Sequence, residues 1–385
     1  VTYGTFRQHP DGHDYPDPEV VRQDFAEMAR WGFNTVRTYT APPRWLLDIA
    51  QEKGLYVMAG LSWTQHVAFL DDRKVARDVR RMVSEAARSV AGHDALLAFA
   101  VGNEVPSPIV RWHGPARVER HVHDLYGLVK SIDPDALVTY VNYPTTEYLD
   151  LRFLDFQAFN VYLEQKETLN AYLARLHNIA DERPLVMAEI GLDSRRQGEL
   201  AQAESLRWQV QTSLQSGCAG AFVFKWTDEW HRGGFDVDDW DFGLVTRARD
   251  PKPALIAVSE AFDEGPFPHE KEWPRISVVV CTYNGSSTIR RTLETVTALD
   301  YPDFEVVVVD DGSTDETASI VQEYDVRLIS TENRGLSAAR NTGAEAATGE
   351  IVAYLDDDAY PAPQWLHFLA AAYEDGDWVA VGGPN

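Results

Sequence analysis

Short apolar runs alternate with amphipathic stretches along the first two thirds of the chain. The runs read as strands: "TYGTF" (2–6), "NTVRTY" (34–39), "LYVMAGL" (55–61), "LLAFAVGNE" (96–104), "LVTYVNY" (137–143), "FQAFNVY" (156–162), "PLVMAEIG" (184–191) and "GAFVFKW" (220–226). Several are apolar or small at nearly every position, the pattern of strands covered on both faces, as in a parallel sheet layered with helices. Between them, "DPEVVRQDFAEMARWG" (17–32) and "ARDVRRMVSEAARSVAG" (76–92) space their apolar residues at i, i+3, i+4 and stop on glycine. A last helix is predicted in "DPKPALIAVSEAF" (250–262), entered through prolines. Eight strand–helix units within roughly 250 residues are what a (β/α)8 TIM barrel requires.

The pattern then breaks. "DEGPFPHEKEW" (263–273) is charged, proline-rich and aperiodic, the composition of a linker. From Arg275 the alternation restarts with strands in "ISVVVCTYN" (276–284), "FEVVVVDDGS" (304–313), "VRLIST" (326–331) and "EIVAYLDDD" (350–358). The expectation is an α/β chain with a barrel over 1–263, a linker over 264–274 and a second α/β unit over 275–385. In that unit the ligand belongs beyond the carboxyl ends of a parallel sheet.

Composition narrows the partners. A net charge of −25 over 385 residues excludes nucleic acid or an anionic membrane as the natural surface to bind. A phosphate-bearing ligand needs local help from a metal ion or backbone amides. The two cysteines, Cys218 and Cys281, fall in different segments, which favours a reducing, cytoplasmic setting over a disulfide framework. No apolar run reaches the ~18 residues of a membrane helix, and Val1 opens no signal-peptide pattern.

Two strand ends stand out. Glu104 and Glu189 each close an apolar run, at the fourth and seventh barrel positions. A buried carboxylate is costly unless paired or in use, and the residues after the strands build the active face of a barrel. Facing carboxylates are the working parts of glycoside hydrolysis. Arg37 and Tyr162, at two other strand ends, suit Glu189 as the ionised nucleophile; its charge would then keep Glu104 protonated as the acid. Asn103 can bond a sugar hydroxyl, and Trp226 offers a flat face for a ring. Trp63, His66, Trp230 and His231 also follow strands and read as walls or packing. "HVH" (121–123) lacks a third metal ligand, and "DVDDWDFG" (236–243) lacks the spacing of a calcium loop and reads as solvated.

This set resembles the retaining glycoside hydrolases that carry their acid and nucleophile after strands four and seven. "FGLVTRARDPKPALIAVSEAF" (242–262) is similar to the end of the family 2 β-glycosidase barrels. The resemblance implies a retaining glycosidase or transglycosidase acting on a β-linked oligo- or polysaccharide without a cofactor. It lacks the jelly-roll domains that usually precede such a barrel, so no specific sugar is carried over. A rival reading makes the barrel a non-catalytic glycan-binding module.

The second unit holds "VVVCTYN", "VVVVDDGSTD" and "NRGLSAARNTGAEAATGEIVAYLDDDA" in order. Strands ending in acids, in a chain this acidic, call for a divalent cation shared with phosphates. No dinucleotide or P-loop motif is present. The three motifs resemble the N-terminal half of a family 2 glycosyltransferase of the GT-A fold. The resemblance implies a nucleotide diphosphate sugar, taken as UDP-linked, with Mg²⁺ or Mn²⁺. Tyr283 and Asp311 would contact the base, Asp310 would support Asp311, and Arg340 would lie near the nucleotide. Asp356, Asp357 and Asp358 match the D-x-D element, with Asp358 as the metal ligand. That family's catalytic base lies further along than "VGGPN" (381–385), so this chain is expected to bind a nucleotide sugar weakly and transfer nothing. In the rival reading the transferase is the sole activity of the full-length protein.

Overall fold

The computed structural model describes residues 1–267, 271–374 and 376–382, in two compact units, Val1–Pro266 and Phe267–Asn385. The centre of the expected linker, 268–270, lies outside the described residues.

In the first unit, seven strands form one parallel sheet in chain order. They are β1 (Thr35–Arg37), β2 (Tyr56–Gly60), β3 (Leu96–Asn103), β4 (Leu137–Asn142), β5 (Gln157–Asn160), β6 (Leu185–Ile190) and β7 (Gly220–Val223). The eighth stave is shorter than "TYGTF" predicts. Only residues 1–3 pair, yet they bond to both sheet edges: Arg37 N–H to Val1 O (2.9 Å), Tyr3 N–H to Arg37 O (2.8 Å), and Thr2 N–H to Val223 O (3.0 Å). A sheet with both edges satisfied this way is a closed barrel.

The near-continuous apolar runs now have their reason. Along β3, Ala98 and Ala100 point into the barrel, where Met58, Val141, Ala158, Ala188 and Phe222 meet them. Phe99 and Val101 point outward into the larger core beneath the helices. The alanines of β3 leave room in a narrow ring for Met58 and Phe222 from other strands. The helices around it include α1 (Pro18–Arg30), α2 (Arg44–Glu52), α3 (Arg73–Val90), α4 (Ser107–His113), α5 (Pro115–Ile132), α6 (Lys166–Ala180), α7 (Ser194–Gln197), α8 (Glu199–Gln215) and α9 (Pro253–Glu264). A two-stranded hairpin, β8 (His231–Arg232) and β9 (Phe235–Asp236), follows β7 at the rim.

The second unit is built on a four-stranded parallel sheet ordered β12-β11-β10-β13. Its strands are β10 (Ile276–Thr282), β11 (Phe304–Asp310), β12 (Arg327–Ser330) and β13 (Ile351–Asp356), with α10 (Ile289–Val296), α11 (Thr317–Val321), α12 (Leu336–Ala346) and α13 (Trp365–Glu374). β10 lies between β11 and β13 and is buried along its whole length. Among the described residues no helix is long and apolar enough to cross a membrane.

Candidate active site

The carboxyl ends of the barrel strands open into a cavity of about 610 Å³ whose lining includes Arg37, Tyr39, Asn103, Glu104, Tyr162 and Glu189. Glu189 is only 5% exposed. The Arg37 guanidinium and the Tyr39 hydroxyl both donate to its Oε1, and Tyr162 donates to its Oε2 at 2.7 Å. Arg37, itself 2% exposed, also donates to Asn103 Oδ1 at 2.7 Å. Asn160 Nδ2 bridges Asn103 Oδ1 (3.2 Å) and Glu104 Oε1 (2.8 Å). An unbroken chain of hydrogen bonds therefore joins the two glutamates.

Their surroundings differ sharply. Glu104 has one amide donor, and its carboxyl is pushed above the usual glutamate range, first by burial and then by the charge of Glu189. Burial, reinforced by Glu189, likewise keeps the Tyr39 and Tyr162 hydroxyls protonated far above their ordinary range, so both remain donors. Asn103 spends its oxygen on Arg37 and Asn160, which leaves its Nδ2 to donate into the cavity.

Local backbone irregularity aims these side chains. Sheet register shifts between Ala100 and Asn103 in β3, between Phe159 and Asn160 in β5, and between Met187 and Ile190 in β6. A bulge breaks strict alternation and re-aims side chains at a rim. Here it lets Gly102, Asn103 and Glu104 line one cavity in succession. Glu104 holds a φ of 52°, left-handed and unusual for a glutamate, a strain met chiefly at functional sites.

Trp63 and His66 line the cavity as expected. Trp63 is clamped by a bond from its indole to Val101 O (2.8 Å), with Phe69 and His121 packed against it. His121 belongs to this packing, and burial lowers its pKa to about 4. Trp226 departs from expectation. β7 ends at Val223, and the chain then turns so that Trp226 is 2% exposed and bonds Asp24 Oδ1 at 2.9 Å. Tyr3 bonds the other oxygen of Asp24, so Trp226 helps seal the barrel instead of meeting a sugar. Aromatic walls come from Phe224, Trp230, Trp240 and Phe242. The last two lie in the loop read as merely solvated (236–243); the alternation of aspartate and aromatic in "DWDF" was its signal. His231 is not among the lining residues and pairs with Asp236. Tyr39, Asn160 and Arg232 are further members that sequence reasoning missed.

In the second unit, Asp311 is the best-held acid at the sheet's carboxyl edge. It accepts the N–H groups of Arg334 (3.0 Å) and Gly335 (2.7 Å) and the Thr331 hydroxyl (3.2 Å). These donors, that of Arg334 foremost, hold it below the usual aspartate range. Asp310 accepts Ser313 N–H at 3.0 Å, which shapes the turn after β11; no bond joins it to Asp311. Tyr283 is half exposed. The acid triplet does not converge: Asp356 pairs with Arg340 at 3.2 Å, and Asp357 accepts from Thr282 at 2.5 Å. Asp358 is exposed and has no partner among the described residues. A lone open carboxylate fits a divalent ion that takes most of its oxygens from water and a diphosphate.

Comparison with known proteins follows the same division. The model for the TIM barrel domain of glycosyl hydrolases family 2 matches residues 9–264. The chain belongs to glycosyl hydrolase family 2. Behind this family 2 barrel, residues 277–384 match the model for glycosyl transferase family 2. A β-glucuronidase of Faecalibacterium prausnitzii superposes with a TM-score of 0.57 at 22% identity, over 68% of this chain and 48% of that one. A GH2 β-galacturonidase of Eisenbergiella tayi gives 0.56 at 18%, over 66% and 49%. At such identities the likeness establishes the fold. The transferase segment is 42% identical over 117 residues to a glucosyl-dolichyl phosphate glucuronosyltransferase of Haloferax volcanii, covering 28% of this chain and 37% of that protein. It is also 42% identical over 110 residues to a validoxylamine A glucosyltransferase of Streptomyces hygroscopicus subsp. jinggangensis, covering 26% of each. The chain thus spans about half of these family 2 hydrolases and at most about two fifths of these transferases.

Proposed function

We propose that the barrel is a retaining β-glycosidase or transglycosidase with Glu189 as nucleophile and Glu104 as acid/base. The observation that supports this most is the unequal dressing of two carboxylates in one cavity: three donors on Glu189, one on Glu104. Glu104 gives its proton to the leaving oxygen as the Glu189 carboxylate attacks the anomeric carbon, closing a glycosyl-enzyme ester. Glu104, now ionised, takes a proton from water or a sugar hydroxyl, which opens the ester with retention. A retaining pair stands about 5 Å apart. Tyr162 and Arg37 hold the nucleophile's two oxygens in a fixed plane, and Asn103 Nδ2 would meet the sugar's 2-hydroxyl.

The second unit, in this reading, takes a nucleotide diphosphate sugar. Tyr283 and the Asp311 turn would receive the base, with Arg340 beside the nucleotide. Asp358, next to Asp356 and Asp357, would hold a divalent ion that neutralises the diphosphate in so acidic a chain. The buried, unpaired Cys218 and Cys281 accord with a reducing, cytoplasmic setting. One polysaccharide would then be both built and trimmed, or remodelled.

The test is a panel of aryl β-glycosides, including β-glucuronides and β-galacturonides, with short β-glucans. A hydrolysed substrate is expected, lost in Glu104→Ala and regained with azide as a β-glycosyl azide. A 2-fluoro glycoside should label Glu189. If glycans bind but neither turnover nor label appears, the barrel is a binding module. Products with and without an added acceptor sugar separate transglycosylation from hydrolysis.

A further inference from the structure

The loop joining the closing stave to α1 carries "HPDGHDY" (9–15). Gly12, at φ +92°, lets it turn back on itself: Gly12 N–H bonds His9 O at 2.8 Å, and His9 N–H bonds His13 O at 2.7 Å. The turn sets the imidazoles of His9 and His13 face to face, with centroids 4.6 Å apart and planes within 2°. One ligand atom from each of His9, Asp11 and His13 lies within 4.8 Å of the other two, the one such group of three among the described residues.

The three side chains are gathered but not yet aimed: His9 Nδ1 accepts the Asp11 N–H at 3.2 Å and His13 Nδ1 the Tyr15 N–H at 3.4 Å, so the stacked rings must turn before both can direct an in-plane lone pair at one ion. His9 Nδ1 and Asp11 Oδ2 are 3.4 Å apart, close to the separation of two ligands on a tetrahedral ion with bonds of about 2.0–2.1 Å. The other nitrogen of His9, Nε2, lies 3.1 Å from Asp17 Oδ1. A carboxylate behind a coordinating imidazole fixes its tautomer and direction. His13 is backed by the edge of Trp45 at 5.2 Å. The turn is anchored at its far end by Tyr15, which is buried and donates to Thr40 O at 2.8 Å.

We propose that His9, Asp11 and His13 bind a divalent transition-metal ion, with Asp17 orienting His9. Two imidazoles and a carboxylate suit Zn²⁺ and its neighbours and not the oxygen-seeking Mg²⁺ or Ca²⁺. The site shares no residue with the glutamate pair or with the aspartate triplet. It bears on the cavity all the same. The chain just before the turn pairs with the β8–β9 hairpin, through Thr5 to His231 and Arg7 to Asp236. Thr5 and Arg232 both line the cavity, so the ion would pin that edge of the rim.

Calorimetric titration of chelator-stripped protein with Zn²⁺ tests this. Wild type is expected to show a saturable site that disappears in H9A/H13A and weakens about 10–100-fold in D17N. Cu²⁺ bound to wild type should show two equatorial imidazole nitrogens by EPR, a readout that does not depend on how the variants fold. Unchanged affinity in H9A/H13A, no saturable binding in wild type, or a copper spectrum without imidazole nitrogen would each overturn the proposal.

Discussion

Arg37 and Glu189 form an ion pair in which both side chains are almost wholly buried. Removing one member of such a pair strands the other charge, at a typical cost of about 3–5 kcal/mol. Arg37→Ala should therefore lower the free energy of unfolding of the barrel by that order, read by urea denaturation. Tyr162→Phe removes a single neutral donor, leaves Arg37 in place, and should chiefly reduce turnover. Glu104 behaves oppositely. Its pKa is raised in the folded protein, so the fold binds that proton more tightly than the unfolded chain does. The stability this contributes is present below the ordinary glutamate pKa and is lost as pH rises through the raised one. Glu104→Gln has no proton to lose, so above the ordinary glutamate pKa it should unfold at higher urea than wild type. The gap should close as the solution is acidified. A constant gap at all pH values would show that titration of Glu104 is not its cause.

At the scale of elements, the ends of strands matter more than their middles. Gly60 closes β2, and a Cβ there would overlap the carbonyl oxygens of Thr38 and Tyr39. Gly60→Ala should push back the segment that carries Tyr39 and reduce turnover without touching a reacting group. In the second unit, a Cβ on Gly285 would strike Asp357 and the Thr282 hydroxyl. Gly285→Ala should weaken binding of UDP with Mn²⁺, measured by calorimetry, more than it lowers the melting point. Glu104, Glu189, Arg37, Asn103 and Tyr162 were legible in the sequence because each follows an apolar run, and a strand end is a place that periodicity locates. Asn160 and Tyr39 were not, for different reasons. Asn160 sits at a register shift, and a bulge leaves no mark in an alternation of hydrophobicity. Tyr39 lies just beyond β1, two residues after an arginine that drew the attention. Trp226 misled because the motif places it at a strand end, whereas the hydrogen bonds end β7 three residues earlier. Its indole then found Asp24, a partner 202 positions away that no local pattern announces.

At the scale of the molecule, the eightfold alternation was plain, but the closure of the ring was not. Closure rests on three residues that pair with both edges at once, too short a stretch to stand out from its neighbours. The restart of the pattern after the barrel reflects a real division of the hydrophobic interior. One pair of clusters lies within the barrel unit, running from Val1 to Ala261, and another lies wholly beyond Arg275. Units with separate cores unfold as separate cooperative transitions unless a large apolar interface couples them. A ligand that binds only the native state of one unit stabilises that unit by RT ln(1 + [L]/Kd) and leaves an uncoupled neighbour alone. Calorimetric scans should therefore resolve two transitions. A glycosidase inhibitor held at about 100 times its Kd should raise one of them, by the equivalent of about 2.7 kcal/mol, and UDP with Mn²⁺ should raise the other. Cross-effects would carry more information than the shifts themselves. If UDP also moved the barrel's transition, the two units would be energetically linked.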